Sequence, residues 1–367
     1  MTHVAHVITK LDVGGAQTHV AELALGQAAA GHRVEVVTGL AGPAADRLDA
    51  AGIPVRVVAE LGDAHGRWSQ RAAIGGVHRA LADLRPELVH GHSSNGGLAA
   101  RFAGRRLGRP TVYTAHGWPF QRGAAWRQRL MSYAGEFVGG HVGDAVIVLT
   151  QAEFDRAVRW RVVPGRRLWI VPNGISDVPP EQRRPERPRP GPPALVMVAR
   201  FAPPKLQAEL VGALARLADL AWTLTFVGDG PQAAACRALV DDLGLSDRVT
   251  FLGHRDDVAD VLAASDVGVL WSRYEGLPIS VIEYLRAGLC CACSDLPGTR
   301  ALLGDPPAGV LGESADSLAR LLADPDEVAR LGTAARRRFV AEYSATAMVA
   351  ATDAVYAAVL AGRRSRG

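Results

Sequence analysis

The chain has 367 residues, 48% hydrophobic and 21% charged, the proportions of a globular protein long enough for two ordinary domains and not of a disordered one. Its net charge of +4 permits a partner bearing anionic phosphates without requiring one, and its 41 basic residues include only two lysines, Lys10 and Lys205. No uncharged apolar run reaches the length of a membrane span, residues 1–8 are too polar for a secretory signal, and four cysteines make no disulfide framework at this size, so a cytoplasmic protein is expected.

The chain opens with an apolar run at 4–8, then Lys10-Leu11-Asp12-Val13-Gly14-Gly15-Ala16-Gln17, then a helical stretch to about Gly31. That is a βαβ beginning. Further short strands are expected at 33–38, 53–58, 87–91, 111–114 and 145–149, with a helix over 68–84. The alternation predicts a mostly parallel, doubly wound sheet with its ligand crevice beyond the C-terminal strand ends, where the loops at Gly14, His92 and His116 fall. Gly14-Gly15 would admit a ligand to the backbone amides, although a plain tight turn fits equally. His90, His92 and His116 fit either hydrogen-bonded structural histidines or functional ones, and without an acidic or cysteine ligand at suitable spacing no zinc site is expected.

Arg101, Arg105, Arg106 and Arg109 form one basic cluster, and Arg183, Arg184, Arg187 and Arg189 another; both are expected on solvated surface. Residues 121–139 interleave Trp126, Leu130, Met131, Tyr133 and Phe137 with Arg122, Arg127 and Arg129. The spacing fits either a helix packed on the sheet or an amphipathic helix resting on an anionic membrane. A first domain is expected over 1–175, a proline-rich linker over 176–193 and a second domain over 194–345, with a last helix near 346–361 that fits either domain.

In the second domain strands are expected at 194–198, 223–227, 249–252, 267–270 and 289–293, separated by helices, giving a second α/β sheet. The run Cys290, Cys291, Cys293 lies in the last of these, and alternate residues point to opposite faces, so the thiols read as small buried hydrophobes. Arg200 and Lys205 follow the first strand, where a fork and a point charge suit a pyrophosphate. Gly228-Asp229-Gly230 follows the second and is a weak signal, since many tight turns look like it. The stretch from Ser272 to Glu283 is the most informative. It sets Glu275 in a glycine-containing loop and Glu283 in a helix that Pro278 would begin and Gly288 end, with free amides directed at the loop. A phosphate suits those amides, and a glutamate about 8 Å further along the axis could reach a sugar hydroxyl.

Taken together, Gly14-Gly15-Ala16-Gln17, His116-Gly117, Val171-Pro172-Asn173-Gly174, Arg200 with Lys205, Gly228-Asp229-Gly230-Pro231, Phe251-Leu252-Gly253 and the Glu-x7-Glu motif of Glu275 and Glu283 span nearly the whole chain. On these residues the chain resembles the retaining family 4 glycosyltransferases of the GT-B fold, two Rossmann-like doubly wound domains facing a central crevice. The resemblance implies transfer from a nucleotide diphosphate sugar, UDP- or GDP-linked, to a glycan or polyprenyl-linked acceptor in cell-surface polysaccharide synthesis, with possible contact to an anionic membrane and no nucleic acid partner. It implies that Glu283 holds the ribose, that Glu275 lies beside the donor sugar, and that Arg200 and Lys205 neutralise the diphosphate with amides near Gly276, Leu277 and Ile279. The base would rest near Gly253 and His254, Gly15 would approach the phosphates, and His116 would contact the donor sugar. No cofactor and no metal is expected, and Asp324-Pro325-Asp326, the chain's Asp-x-Asp triplet, reads as a helix cap or surface turn. The alternatives are a sugar-nucleotide epimerase of similar architecture and a noncatalytic sugar-nucleotide binding protein; a nicotinamide oxidoreductase lacks its full glycine fingerprint.

Overall fold

A computed structural model describes residues 1–12, 14–62, 67–118, 126–185 and 191–364, with only the backbone of residues 67, 68, 128 and 364. Val13 of the first glycine loop, Arg122, Arg187 and Arg189 therefore lie outside the described residues. The chain divides into two units, Met1–Ser176 with Ala345–Gly367, and Asp177–Ser344.

In the first unit the strands are β1 (His3–Ile8), β2 (Arg33–Thr38), β3 (Val55–Val57), β4 (Leu88–His92), β5 (Thr111–Thr114), β6 (Ala145–Val148) and β7 (Leu168–Ile170). Between them run α1 (Gly15–Ala29), α2 (Pro43–Ala50), α3 (Ala59–Gly62), α4 (Arg67–Leu84), α5 (Ser94–Arg106), α6 (Trp126–Val142) and α7 (Gln151–Arg159). The sheet is parallel throughout, in the order β3-β2-β1-β4-β5-β6-β7. Strands β4, β5 and β6 are buried at every residue, and β1 at all but its first, because helices cover both faces.

The second unit holds β8 (Ala194–Val198), β9 (Thr223–Val227), β10 (Val249–Phe251), β11 (Val267–Leu270), β12 (Cys290–Cys293) and β13 (Gly309–Leu311), in the parallel order β10-β9-β8-β11-β12-β13. Its helices are α8 (Gln207–Ala215), α9 (Ala233–Asp242), α10 (Val258–Ala263), α11 (Ile279–Ala287), α12 (Pro297–Leu303), α13 (Ala315–Ala323) and α14 (Pro325–Arg338). The short β13 is not among the strands expected from the sequence. The expected pair of doubly wound α/β sheets is present.

The last helix, α15 (Ala345–Arg364), belongs to the first unit. Among the described helices it is long and apolar enough to cross a membrane by composition. It nevertheless sends Met348, Val349, Val355 and Tyr356 into a core with Val4, Leu88 and Val112.

Two expectations of solvated arginines fail. Arg101 is 1% exposed, pairs with buried Glu136 of α6 at 3.2 Å and lies 4.0 Å over the Tyr113 ring. Gly139 makes room for it, since a Cβ there would sit 2.4 Å from the guanidinium carbon. Arg184 is likewise buried and donates to Asp266 at 3.1 Å, so this part of the proline-rich segment is packed into the second unit. Density of like charge along the chain said nothing about which guanidinium would find an inward carboxylate.

Helix α6 is packed on one side, as one of the two expectations for its segment had it, and carries an exposed apolar row on the other. Its inner face carries Glu136, Gly139 and Gly140 into the unit, whereas Trp126, Leu130, Met131, Phe137 and Val138 remain exposed on the other, with Arg127 beside Trp126.

Candidate functional site

Each strand order reverses at a switch point, between β1 and β4 in the first sheet and between β8 and β11 in the second. Ligand crevices of open α/β sheets lie beyond the C-terminal strand ends at such points.

In the second unit β8 and β11 pair only at Leu195 and Val196, and beyond them a side chain takes over from the ladder. The Tyr284 hydroxyl of α11 accepts the Val198 N–H at 2.8 Å and donates to the Val269 carbonyl at 3.1 Å. Gly268 leaves space for the ring, because a Cβ there would lie 2.3 Å from it. The phenol thus fixes α11 to the splayed strand ends.

Just past this splay the loops after β8, β11 and β12 are laced together. Leu206 N–H donates to Trp271 O at 3.1 Å, Arg273 N–H to Pro204 O at 3.0 Å, and the buried Ser272 N–H to Ser294 Oγ at 2.7 Å. This lacing brings Lys205 Nζ to 2.5 Å from Glu275 Oε1, with the two side chains 17% and 12% exposed. Arg200, five residues earlier, is exposed.

Helix α11 then starts at Ile279, with Pro278 as its N-cap, no side-chain cap and no acidic residue in its first turn. Gly288 ends it at φ 76°, the left-handed conformation expected of a glycine stop. Glu283 is the fifth helical residue and half-buried; Leu277 is buried, while Gly276 and Ile279 are partly exposed. Behind them Gly298 of α12 abuts the loop so closely that a Cβ would fall 1.7 Å from Gly276 O.

The Gly-Asp-Gly turn has a different role from a phosphate loop. Gly228 and Gly230 have φ 129° and 153°, and Cβ atoms on them would lie 2.2 Å from Ala199 O and 2.5 Å from Phe201 O. With Phe201 N–H donating to Asp229 O at 2.9 Å, the turn is the backstop of the Arg200 loop. Gly253, at φ 67°, follows β10 at the far edge and accepts from Gly228 N–H at 2.7 Å; His254 beside it is exposed, 3.6 Å from Asp256. A cavity of about 570 Å³ opens on the α8–α9 side, lined by Phe201, Pro204, Lys205, Gln232, Cys236 and Arg273 among others. It shares Lys205 with the junction but not Arg200, Glu275 or Glu283, so we separate it from the site.

The three strand cysteines are buried, and burial pushes the Cys293 thiol up to about 12, as suits inert apolar side chains. Asp324 caps α14 by accepting Glu327 N–H at 2.9 Å.

In the first unit Gly15 opens α1, exposed, with Gly14 as N-cap and no side-chain cap or acidic first turn. One turn on, His19 joins a group of five histidines, four of them buried and His116 partly exposed, that sequence reading recognised only in part. Parallel pairing sets His6 of β1 beside His90 of β4, and His92 ends β4, while His116 lies two residues past β5. Ring centroids of His90 and His92 are 4.2 Å apart, and those of His19 and His116 4.7 Å. His6 and His19 could have been found by aligning the two strands and counting one helical turn from Gly15. Burial lowers all five pKa values, to about 4 for His6 and His19, so these imidazoles are neutral near pH 7. Glu153 of α7 is also buried, and desolvation raises its carboxyl to about 7 while the Leu149 N–H partly opposes that at 3.1 Å.

Two parallel α/β units, each with its loops gathered at a sheet switch point, define a GT-B architecture. The family model "Glycosyl transferase 4-like domain" matches residues 14–174 and "Glycosyl transferases group 1" matches residues 179–338. The chain is 30% identical over 354 residues to the 2-deoxystreptamine N-acetyl-D-glucosaminyltransferase of Streptomyces fradiae, covering 86% of this chain and 83% of that protein. It is 26% identical over 275 residues to the UDP-Gal:alpha-D-GlcNAc-diphosphoundecaprenol alpha-1,3-galactosyltransferase of Escherichia coli, covering 65% and 66%. Among solved structures, Anabaena HepE in complex with UDP and glucose shares the fold with a TM-score of 0.77 at 17% identity, over 97% of this chain and 100% of that one. The chain belongs to the family 4 glycosyltransferases, and it is an enzyme of that class.

Proposed function

We propose that this glycosyltransferase moves a sugar, with retention of anomeric configuration, from a UDP- or GDP-linked donor to a hydroxyl of a glycan or polyprenyl-linked acceptor in cell-surface polysaccharide synthesis. The reading rests on the junction at the β8/β11 switch point. There a lysine, a carboxylate and an uncapped helix N-terminus converge, with a second carboxylate farther along the same helix.

A departing nucleoside diphosphate, whose charge grows from about −2 toward about −3 as the bond breaks, is the anionic group such a junction suits. Arg200, Lys205 and the amides near Gly276, Leu277 and Ile279 balance the charge that grows as the glycosidic bond breaks, an electrostatic contribution large in a closed crevice. Lys205 is steered by Glu275, which lies beside the donor sugar; Glu283 holds the ribose hydroxyls. The base rests near Gly253 and His254. Gly15, at the uncapped start of α1, approaches the phosphates, and His116 contacts the donor sugar. Cations supplied by the protein remove the need for a divalent ion on the diphosphate, and the Asp-x-Asp triplet is occupied in capping α14.

The UDP bound by HepE and the UDP-Gal used by the E. coli relative favour a uridine donor. For the acceptor, the lipid diphosphate of that relative agrees in kind with the exposed apolar row of α6, which would rest on the inner membrane face as a peripheral contact.

Thermal stabilisation by a panel of nucleotides and nucleotide sugars tests the reading, since a ligand of the native state raises its midpoint by mass action. One nucleotide diphosphate sugar should stand out, its effect surviving EDTA and vanishing in Glu283→Ala and Arg200→Ala. Stabilisation that EDTA abolishes and Mg²⁺ or Mn²⁺ restores would refute metal independence. Equal stabilisation of both variants and the parent would refute the site.

A further inference from the structure

The geometry points to a cation site in the first unit: we propose that His19, His92 and His116 bind one divalent ion of the zinc class through three ring nitrogens. Each of the three residues offers a nitrogen within 4.8 Å of the other two. On a tetrahedral zinc ion with bonds of about 2.1 Å, three imidazole nitrogens stand about 3.4 Å apart, so each ring needs to close by less than about 1 Å.

The hydrogen bonds around the cluster decide which nitrogens are available. Gln27 Nε2 donates to Asp353 Oδ1 at 3.2 Å, which turns its Oε1 toward His6 Nε2 at 2.9 Å. His6 must then donate from Nε2, and in a neutral ring its Nδ1 carries the lone pair. That Nδ1 lies 2.9 Å from His92 Nε2, so His92 donates there and its Nδ1 is left as a bare acceptor. His19 Nδ1 donates to Asn173 Oδ1 at 2.9 Å, which leaves Nε2 bare in the same way. Among the described residues, His19 Nε2, His92 Nδ1 and both nitrogens of His116 are buried side-chain atoms without a hydrogen-bond partner. Buried acceptors left so cost free energy unless something occupies them.

A second trio, His6, His90 and His92, is equally close but is not available. Both nitrogens of His6 are committed, and His90 is held by Tyr356 at 2.6 Å and Thr114 at 2.8 Å. The contrast selects one trio of the two. Outer partners that fix tautomer and ring orientation are what a metal-ligating histidine requires, and Asn173 for His19 and His6 with Gln27 for His92 supply them. Neutral imidazoles, which burial enforces here, are the ligating form. Three nitrogens without carboxylate suit zinc, cobalt or nickel and not the oxygen-seeking magnesium or calcium. This ion is therefore distinct from one on a donor diphosphate, and it would share His116 with the proposed donor-sugar contact.

The test uses the full chain without nucleotide. After chelation and desalting, the protein should take up one Zn²⁺ per chain by elemental analysis, and Co²⁺ should give the intense visible bands of a tetrahedral site without near-ultraviolet thiolate charge transfer. His19→Gln and His116→Gln should weaken Zn²⁺ binding more than about 100-fold, Asn173→Ala about 10- to 100-fold as an outer partner does, and exposed His141→Gln not at all. No uptake by the parent chain, uptake undiminished in the two ligand variants, or a Co²⁺ spectrum showing thiolate or six-coordinate oxygen ligation overturns the proposal. Should a variant lose its fold by circular dichroism, the parent's Co²⁺ spectrum alone decides.

Discussion

The five clustered histidines, four of them buried, make the first unit acid-labile, and the size of the effect follows from their environment. Their native pKa values are depressed, to about 4 for His6 and His19 and well below 6.5 for His90, His92 and His116. The stability they contribute is present above pH 6.5 and lost as pH falls, because the unfolded chain binds protons that the native unit refuses. One pH unit below 6.5, each unfolded histidine gains slightly over 1 kcal/mol, so five amount to roughly 6–7 kcal/mol. Glu153 works in the other direction. Its pKa is raised from 4.5 to about 7, so its contribution is present below 4.5 and lost as pH rises through 7. Between pH 7.5 and 5.5 it returns roughly 2 kcal/mol.

The net loss of about 5 kcal/mol over those two pH units rivals the total stability of an ordinary domain. Scanning calorimetry at pH 7.5, 6.5 and 5.5 measures it, and the second unit is an internal control. Of eleven histidines in the chain only His254 belongs to that unit, and it is exposed. One transition should fall steeply with acid while the other holds, and Glu153→Gln should make the fall steeper. If neither transition moves by pH 5.5, the cluster is not buried as described and the reasoning fails.

Replacing Glu136 by leucine leaves the Arg101 guanidinium buried without its carboxylate, which should cost about 3–5 kcal/mol and lower the first unit's melting temperature; a change below about 1 kcal/mol would contradict the pairing. Gly298→Ala forces a Cβ onto Gly276 O and should displace the loop before α11, so nucleotide-sugar stabilisation should fall while the circular dichroism spectrum is retained. Unchanged donor binding in that variant would mean the loop has slack. Trp126→Ser combined with Leu130→Ser and Met131→Ser should abolish sedimentation with anionic vesicles without altering the fold, and equal sedimentation of variant and parent would remove the membrane role of α6.

Short β-branched runs between helical segments made both sheets legible, because strands covered on two faces keep a nearly continuous apolar sequence. The three-residue β13 escaped that pattern, since Gly309, Val310 and Leu311 are too few to show a period. At the junction the residue types were readable but the contact was not. Lys205 and Glu275 are seventy positions apart and meet because β8 and β11 are neighbours across a switch point, a fact of topology that local pattern does not carry. The same holds for His6, whose importance follows from its parallel register with His90, and for Arg101, whose partner sits on a later helix. Charge clusters and lone histidines are read from neighbours in sequence, and these side chains answer to neighbours in space.

The glycines of the second unit explain why such a contact can be reproducible. Gly228, Gly230 and Gly298 each face a carbonyl of the loops that carry Arg200, Lys205 and Gly276, at separations that exclude a Cβ. The loops are therefore positioned by backbone lying on backbone, which has no rotamers to lose. Lys205 adds a side-chain constraint by spending one of its three ammonium donors on Glu275 and keeping two for an incoming anion. In the proposed transferase, donors fixed before the reaction need no reorganisation as charge develops on the leaving diphosphate. Arg200 is the exception, exposed on its buttressed loop. In the proposed reaction that division, a largely buried lysine with helix amides and an exposed arginine, assigns preorganisation to the first two and ordering by the ligand to the third.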